Sequence, residues 1–120
     1  MTTPTLTGAE TRRLGKILVL EPQGRWDATN ALAFLQWTLS LGAEHSVIVN
    51  MAQMRRLDAA AFEYLTELLC SLVARGGEVA LVAPTPEVRA RLELGGLDTA
   101  FHVFATEAEA AEFLRNRDWW

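Results

Sequence analysis

Three uninterrupted apolar runs punctuate the chain: Ile17-Leu18-Val19-Leu20, Val47-Ile48-Val49 and Val79-Ala80-Leu81-Val82. Each is short, bounded by turn or polar residues, and apolar on both sides of a pleat, which is the pattern of a strand buried on both faces. Residues 101–104 predict a shorter fourth strand, and residues 10–14 an edge strand that turns at Gly15-Lys16. Pro22 and Gly24 close the first run.

Between these runs the period changes to that of a helix. Leu32, Leu35 and Leu39 recur behind Asp27 or Thr29, either of which can act as N-cap, and Gly42 stops the helix. A second helix runs from Asp58 to Arg75, with Ala61, Leu65, Leu68, Leu69, Leu72 and Val73 along one stripe, and Gly76-Gly77 closes it. Thr85-Pro86 opens a third helix that ends at Gly95-Gly96. Thr106 and Glu109 form a capping box for a fourth, which reaches Leu114. The stretches 24–29 and 51–57 read as loops.

Strands alternating with helices predict an α/β fold: a single domain with a mixed, mostly parallel sheet of four to five strands and about four helices. The N-terminal hairpin supplies one antiparallel edge, and the crossovers are right-handed. Residues 1–14 form a lead-in with the edge strand, 15–115 the domain, and 116–120 a tail.

Composition narrows the function. The chain has 120 residues, half of them apolar, with four Trp and a net charge of −4. An acidic chain lacks the basic footprint of a nucleic-acid binder. No run approaches the ~18–20 apolar residues of a membrane span, and the Thr-rich start has no apolar signal region, so a cytoplasmic protein without stable membrane insertion is expected. The apolar fraction and Trp119-Trp120 suggest a homodimer. Cys70 lies beside the buried stripe and reads as a structural thiol. His45, His102 and Cys70 share no metal-ligand spacing, and no nucleophile, acid/base pair or phosphate loop is visible, so neither an enzyme nor a cofactor is expected.

The strand-to-helix junction at Leu57-Asp58-Ala59-Ala60-Ala61-Phe62 draws attention, because ligands and partners dock at such places in open α/β sheets. It carries no hydroxyl or thiol. Asp58 is either a recognition residue or an N-cap contributing about 1 kcal/mol, and Asp27 has the same duality. The alanines are either a surface that takes no phosphate or simply good helix formers. Met54 and Arg55 suit an interface, whereas Met51 and Leu57 suit a core. Phe62 is an exposed anchor or packs under a loop, and Trp26 extends the surface at Asp27.

Four segments resemble the STAS domain family (sulfate transporter and anti-sigma factor antagonist) over roughly residues 17–114. Residues 17–27, ending Gly24-Arg25-Trp26-Asp27, are similar to the family's hydrophobic strand with Gly-x-x-Asp. Val47-Ile48-Val49-Asn50-Met51 resembles its central strand, with Asn50 where Asp is frequent. Asp58 opens what resembles the Asp-Ser-x-Gly switch, and residues 75–88 with Leu94-Gly95-Gly96-Leu97-Asp98 resemble the C-terminal half. In the family's anti-sigma factor antagonists a Ser or Thr of the switch accepts phosphate from a partner kinase. Here Ala59 and Ala60 occupy the aligned positions, so no phosphorylation is expected there. Thr29, Ser46 and Thr66 are other hydroxyls in this part of the chain, and no motif marks them.

The resemblance implies a non-enzymatic interaction module, a constitutive or scaffold regulator of a partner-switching system. Its implied partner is an anti-sigma factor, a switch kinase or other STAS subunits. The expected partner surface comprises Trp26, Asp27, Met54, Arg55, Asp58, Ala59, Ala60, Ala61 and Phe62. The alternative is a small-ligand domain sensing a nucleotide or lipid, or a cytosolic subunit of a transporter.

Overall fold

The computed structural model describes residues 9–15, 17–40 and 46–118. The expectations placed on Gly42, on His45, on Trp119-Trp120 and on the side chains of Leu35 and Leu39 lie outside the described residues. In chain order the elements are β1 (Ala9–Leu14), β2 (Ile17–Pro22), β3 (Gly24–Trp26), α1 (Ala28–Ser40), β4 (Ser46–Asn50) and β5 (Met54–Leu57). There follow α2 (Ala59–Ala74), β6 (Glu78–Val82), α3 (Pro86–Gly95), α4 (Leu97–Ala100), β7 (His102–Phe104) and α5 (Glu107–Asp118).

The apolar runs become the middle of a five-stranded sheet ordered β1-β2-β4-β6-β7. β1 pairs antiparallel with β2, and the other neighbours are parallel. Successive side chains of a strand face opposite ways, and both faces are covered. Leu18 and Leu20, Val47 and Val49, Val79 and Leu81 share one core with Leu65, Leu68, Leu69 and Leu72 of α2 and Val88 and Leu92 of α3. Ile17, Val19, Ile48, Ala80 and Val82 point the other way, onto Ala110, Ala111 and Leu114 of α5. This two-sided burial is why these strands carry no polar alternation.

The helix ends follow local chemistry. Thr85 Oγ1 accepts from Val88 N (3.4 Å), with Pro86 at the first turn, and Gly96 closes α3 at φ 76°. Thr106 and Glu109 cap each other's backbone: Glu109 N donates to Thr106 Oγ1 and Thr106 N to Glu109 Oε1, both 3.2 Å.

Several expectations need correcting. The stretches read as loops contain β3 and β5, which form a separate two-stranded parallel sheet. Neither shows a period, because one has three residues and the other buries only its end residues Met54 and Leu57. The short α4 falls where only a helix stop was expected, and α5 continues past Leu114 to Asp118, since no Gly or Pro interrupts it. Val73 is 48% exposed rather than part of the stripe, because it lies one position round from Leu72 at the helix end. Cys70 is exposed, on the outer face of α2.

Candidate functional site

The small sheet decides which residues meet. Gly24 N donates to Gln53 O (2.8 Å) and Asp58 N to Trp26 O (3.0 Å). Trp26 therefore lies against Leu57, and the residues that follow each strand, Asp27 and Asp58, come out side by side. Two helices start there, and α1 packs against α2 along their length. Two segments about thirty residues apart in sequence thus build one exposed edge from Asp27, Ala28, Thr29, Asp58, Ala59 and Ala60.

The two carboxylates do different things. Asp27 Oδ1 accepts from Asn30 N (3.0 Å), so Asp27 is the N-cap of α1, and Thr29 lies within the first turn. Asn30 Nδ2 in turn donates to Arg25 O (3.0 Å), tying the helix start to β3. Asp58 holds the N-cap place of α2 in extended geometry (φ −69°, ψ 160°), yet its side chain makes no cap hydrogen bond. That carboxylate is partly exposed beside the bare first turn Ala59-Ala60. A helix start without a side-chain cap keeps its positive dipole end open to a partner's anionic group.

Three expected contact residues are buried. Trp26, Met54 and Ala61 are 1%, 0% and 0% exposed and belong to the large core, so they support the surface and do not form it. Met54 is covered because α3 packs on β5, where Thr85 Oγ1 donates to Met54 O (3.4 Å). Ala61 opens the buried stripe of α2. Phe62 is half-buried, and the tip of its ring approaches Gly95 of α3. A Cβ built on Gly95 would sit 2.3 Å from Phe62 Cζ, so any larger residue there requires the ring to move. Asp27, Arg55, Asp58, Ala59 and Ala60 remain accessible, with Phe62 at the margin.

Among the other hydroxyls, Ser46 is buried and Thr66 donates to Phe62 O (2.9 Å), whereas Thr29 is exposed. His102 packs against Phe113 with ring centroids 4.4 Å apart and the planes tilted by 50°. Among the described residues no group of three His, Cys, Asp or Glu side chains could hold a metal ion. No described helix is long and apolar enough to cross a membrane.

Sequence reasoning missed a network under the site. Asn50, at the end of β4, accepts from Ala52 N (3.0 Å) and donates through Nδ2 to Glu107 Oε2 (2.5 Å). Arg12 of β1 donates to the same carboxylate oxygen. The Arg12 hydrogen bond holds the Glu107 carboxyl below its ordinary pKa against the upward pull of burial, and Asn50 and the arginine charge add to that lowering. The network pins α5 to the strand end from which the chain departs for β5. No sequence signal links residues 57 and 95 positions apart.

A mostly parallel five-stranded sheet, helices on both faces and an outlying strand pair that aligns two helix starts define a single α/β domain with a mixed sheet. The chain belongs to the STAS domain family, whose profile matches residues 8–110. It is 27% identical over 105 residues to a Thermotoga maritima protein named as an anti-sigma factor antagonist, covering 84% of this chain and 92% of the relative. A Thermotoga maritima crystal structure described in the same terms superimposes with a TM-score of 0.82 at 24% identity, over 89% of this chain and 94% of that one. The anti-sigma factor antagonist SpoIIAA in its unphosphorylated form gives 0.78 at 21% identity, over 90% and 96%. These two likenesses show a shared fold.

Proposed function

We propose that this domain binds a protein partner in a partner-switching system and is not turned off by phosphate at the start of α2. It works in the cytoplasm, without chemistry of its own. The partner is an anti-sigma factor, a switch kinase or another STAS subunit. The contact surface is Asp27, Arg55, Asp58, Ala59, Ala60 and the edge of Phe62, held from below by Trp26, Met54 and Ala61.

One observation carries this reading. Ala59 and Ala60 are exposed beside an Asp58 carboxylate that caps nothing, at the edge where Asp27 also emerges. The relative SpoIIAA has been solved in both unphosphorylated and phosphorylated forms. In this chain the first turn of α2 offers no hydroxyl to take a phosphoryl group. A phosphate there would add nearly two negative charges beside Asp58 and break an interface by repulsion and desolvation.

The test has two arms. Incubation with ATP and a cognate switch kinase leaves residues 55–65 unmodified by mass spectrometry. Ala59→Asp, which imitates the missing charge, weakens binding of the protein partner. Phosphate mapped to that stretch, or undiminished binding by both Ala59→Asp and Ala60→Asp, overturns the proposal.

A further inference from the structure

We infer that the partner meets this edge with an acidic protein segment, through a ledge formed by Arg25, Arg55 and Arg56. The inference rests on the reading of this edge as the partner surface and adds the chemistry that recognises the partner.

Arg25 and Arg56 are opposite each other in the β3–β5 pair. The register shifts between Gly24 and Arg25, which leaves Arg55 as the extra residue of a bulge. A bulge re-aims the side chain it carries. All three arginines are exposed, whereas Trp26, Met54 and Leu57 on the same two strands are buried. Among the described residues no ion pair or side-chain hydrogen bond engages any of the three; the ion pair that is described joins Arg12 to Glu107. The nearest acidic side chains along the chain are Asp27, already committed to Asn30, and Asp58.

This arrangement works against the fold. Like charges directly opposite in a strand pair are destabilising. A two-stranded sheet is marginal by itself, and this one aligns the whole edge. Placing three guanidinium groups there gives no described internal contact in return. The chain as a whole carries a net charge of −4, so an acidic partner is repelled at long range and attracted where these exposed arginines cluster. Such a local reversal of sign gives orientation and specificity. Guanidinium forks match carboxylates in bidentate geometry. The ledge is continuous with Asp58-Ala59-Ala60 through Leu57, so one partner covers both.

The experiment is a titration of the isotopically labelled full chain with a short peptide of alternating Glu and Leu, followed by NMR. Its alternating Lys and Leu counterpart, a DNA duplex, inorganic phosphate and anionic phospholipid vesicles are run in parallel. The acidic peptide is expected to move the side-chain Nε–H signals of Arg25, Arg55 and Arg56. Combined Arg25→Glu and Arg56→Glu reversal is expected to weaken it on the order of tenfold, and raised salt to do the same. Arg25→Gln with Arg56→Gln gives a smaller loss in the same direction. Arg115→Glu, on α5, leaves binding unchanged. Shifts centred elsewhere, equal binding of the Lys peptide, or tighter binding of DNA, phosphate or vesicles overturns the inference. If Ala59→Asp blocks the protein partner while the arginine reversals leave the acidic peptide bound, the ledge fails and the partner surface stands. If Ala59→Asp and Ala60→Asp both leave that partner bound, the partner surface fails and the peptide titration still reports on the arginines.

Discussion

Replacing Asn50 by Asp changes one atom type at the centre of the network under the site. Asn50 Nδ2 donates to Glu107 Oε2 across 2.5 Å. An Asp keeps the acceptor that takes the Ala52 N–H at 3.0 Å, so the turn after β4 survives and only the donor is lost. A hydrogen bond to a charged group contributes about 1.5–3 kcal/mol. Two carboxylates about 4 Å apart repel by roughly 1 kcal/mol in water and roughly 4 kcal/mol at an effective dielectric constant of about 20. Although the Glu107 side chain is only 21% exposed, the Arg12 guanidinium stays beside it and offsets the repulsion, which favours the lower figure. The expected loss at neutral pH is about 3 kcal/mol. That is a large share of a typical stability of about 5–15 kcal/mol.

The pH dependence follows from the same contacts. Glu107 titrates below its ordinary value in the folded state. Its contribution is therefore complete above the ordinary carboxylate range and is lost as pH falls through the lowered value. In the Asn50→Asp variant the repulsion vanishes once either carboxyl takes up a proton. The gap between the two proteins should be widest at neutral pH and narrow toward about pH 4. Urea denaturation followed by Trp fluorescence measures both, with an unchanged slope showing that only stability moved. Equal midpoints at neutral pH, or a gap indifferent to pH, would refute the reasoning.

The remaining predictions concern the helix starts, the α2–α3 contact and the thiol. Asp27→Ala should cost about 1 kcal/mol because it removes a cap hydrogen bond, whereas Asp58→Ala should change stability by less than about 0.5 kcal/mol. Denaturant midpoints that rank the two variants the other way would contradict the capping assignment. Gly95→Ala drives a methyl group into the Phe62 ring and should cost about 1–3 kcal/mol, with recovery when Phe62 is also replaced by Leu. A neutral Gly95→Ala, measured by thermal unfolding, would show that the ring does not rest there. Cys70 should react with a thiol reagent in the native state at a rate independent of denaturant, and reaction only on unfolding would place it inside.

Local chemistry made much of this protein legible. Leu18, Val49 and Leu81 sit in runs whose only stable place is a sheet covered on both sides, because an isolated strand cannot bury two apolar faces. Thr106 with Glu109, and Thr85 with Pro86, announce helix starts through contacts made within one turn. The alanines at 59 and 60 need no structure to show that they hold no hydroxyl.

Only the tertiary structure decided which residues share the edge. Gly24-Arg25-Trp26 is too short to show a period, and it becomes a strand only because Met54-Arg55-Arg56-Leu57 arrives beside it. That pairing buries Trp26 and Met54, turns the arginines outward and sets Asp27 next to Asp58. The carboxylate of Asp58 leaves its helix uncapped while that of Asp27 caps, a difference of side-chain geometry between two similar sequence contexts. Asn50, Glu107 and Arg12 meet through sheet order and helix placement. Periodicity records which face of an element avoids water; which elements then become neighbours is set by packing over the whole chain, and the binding edge was settled at that level.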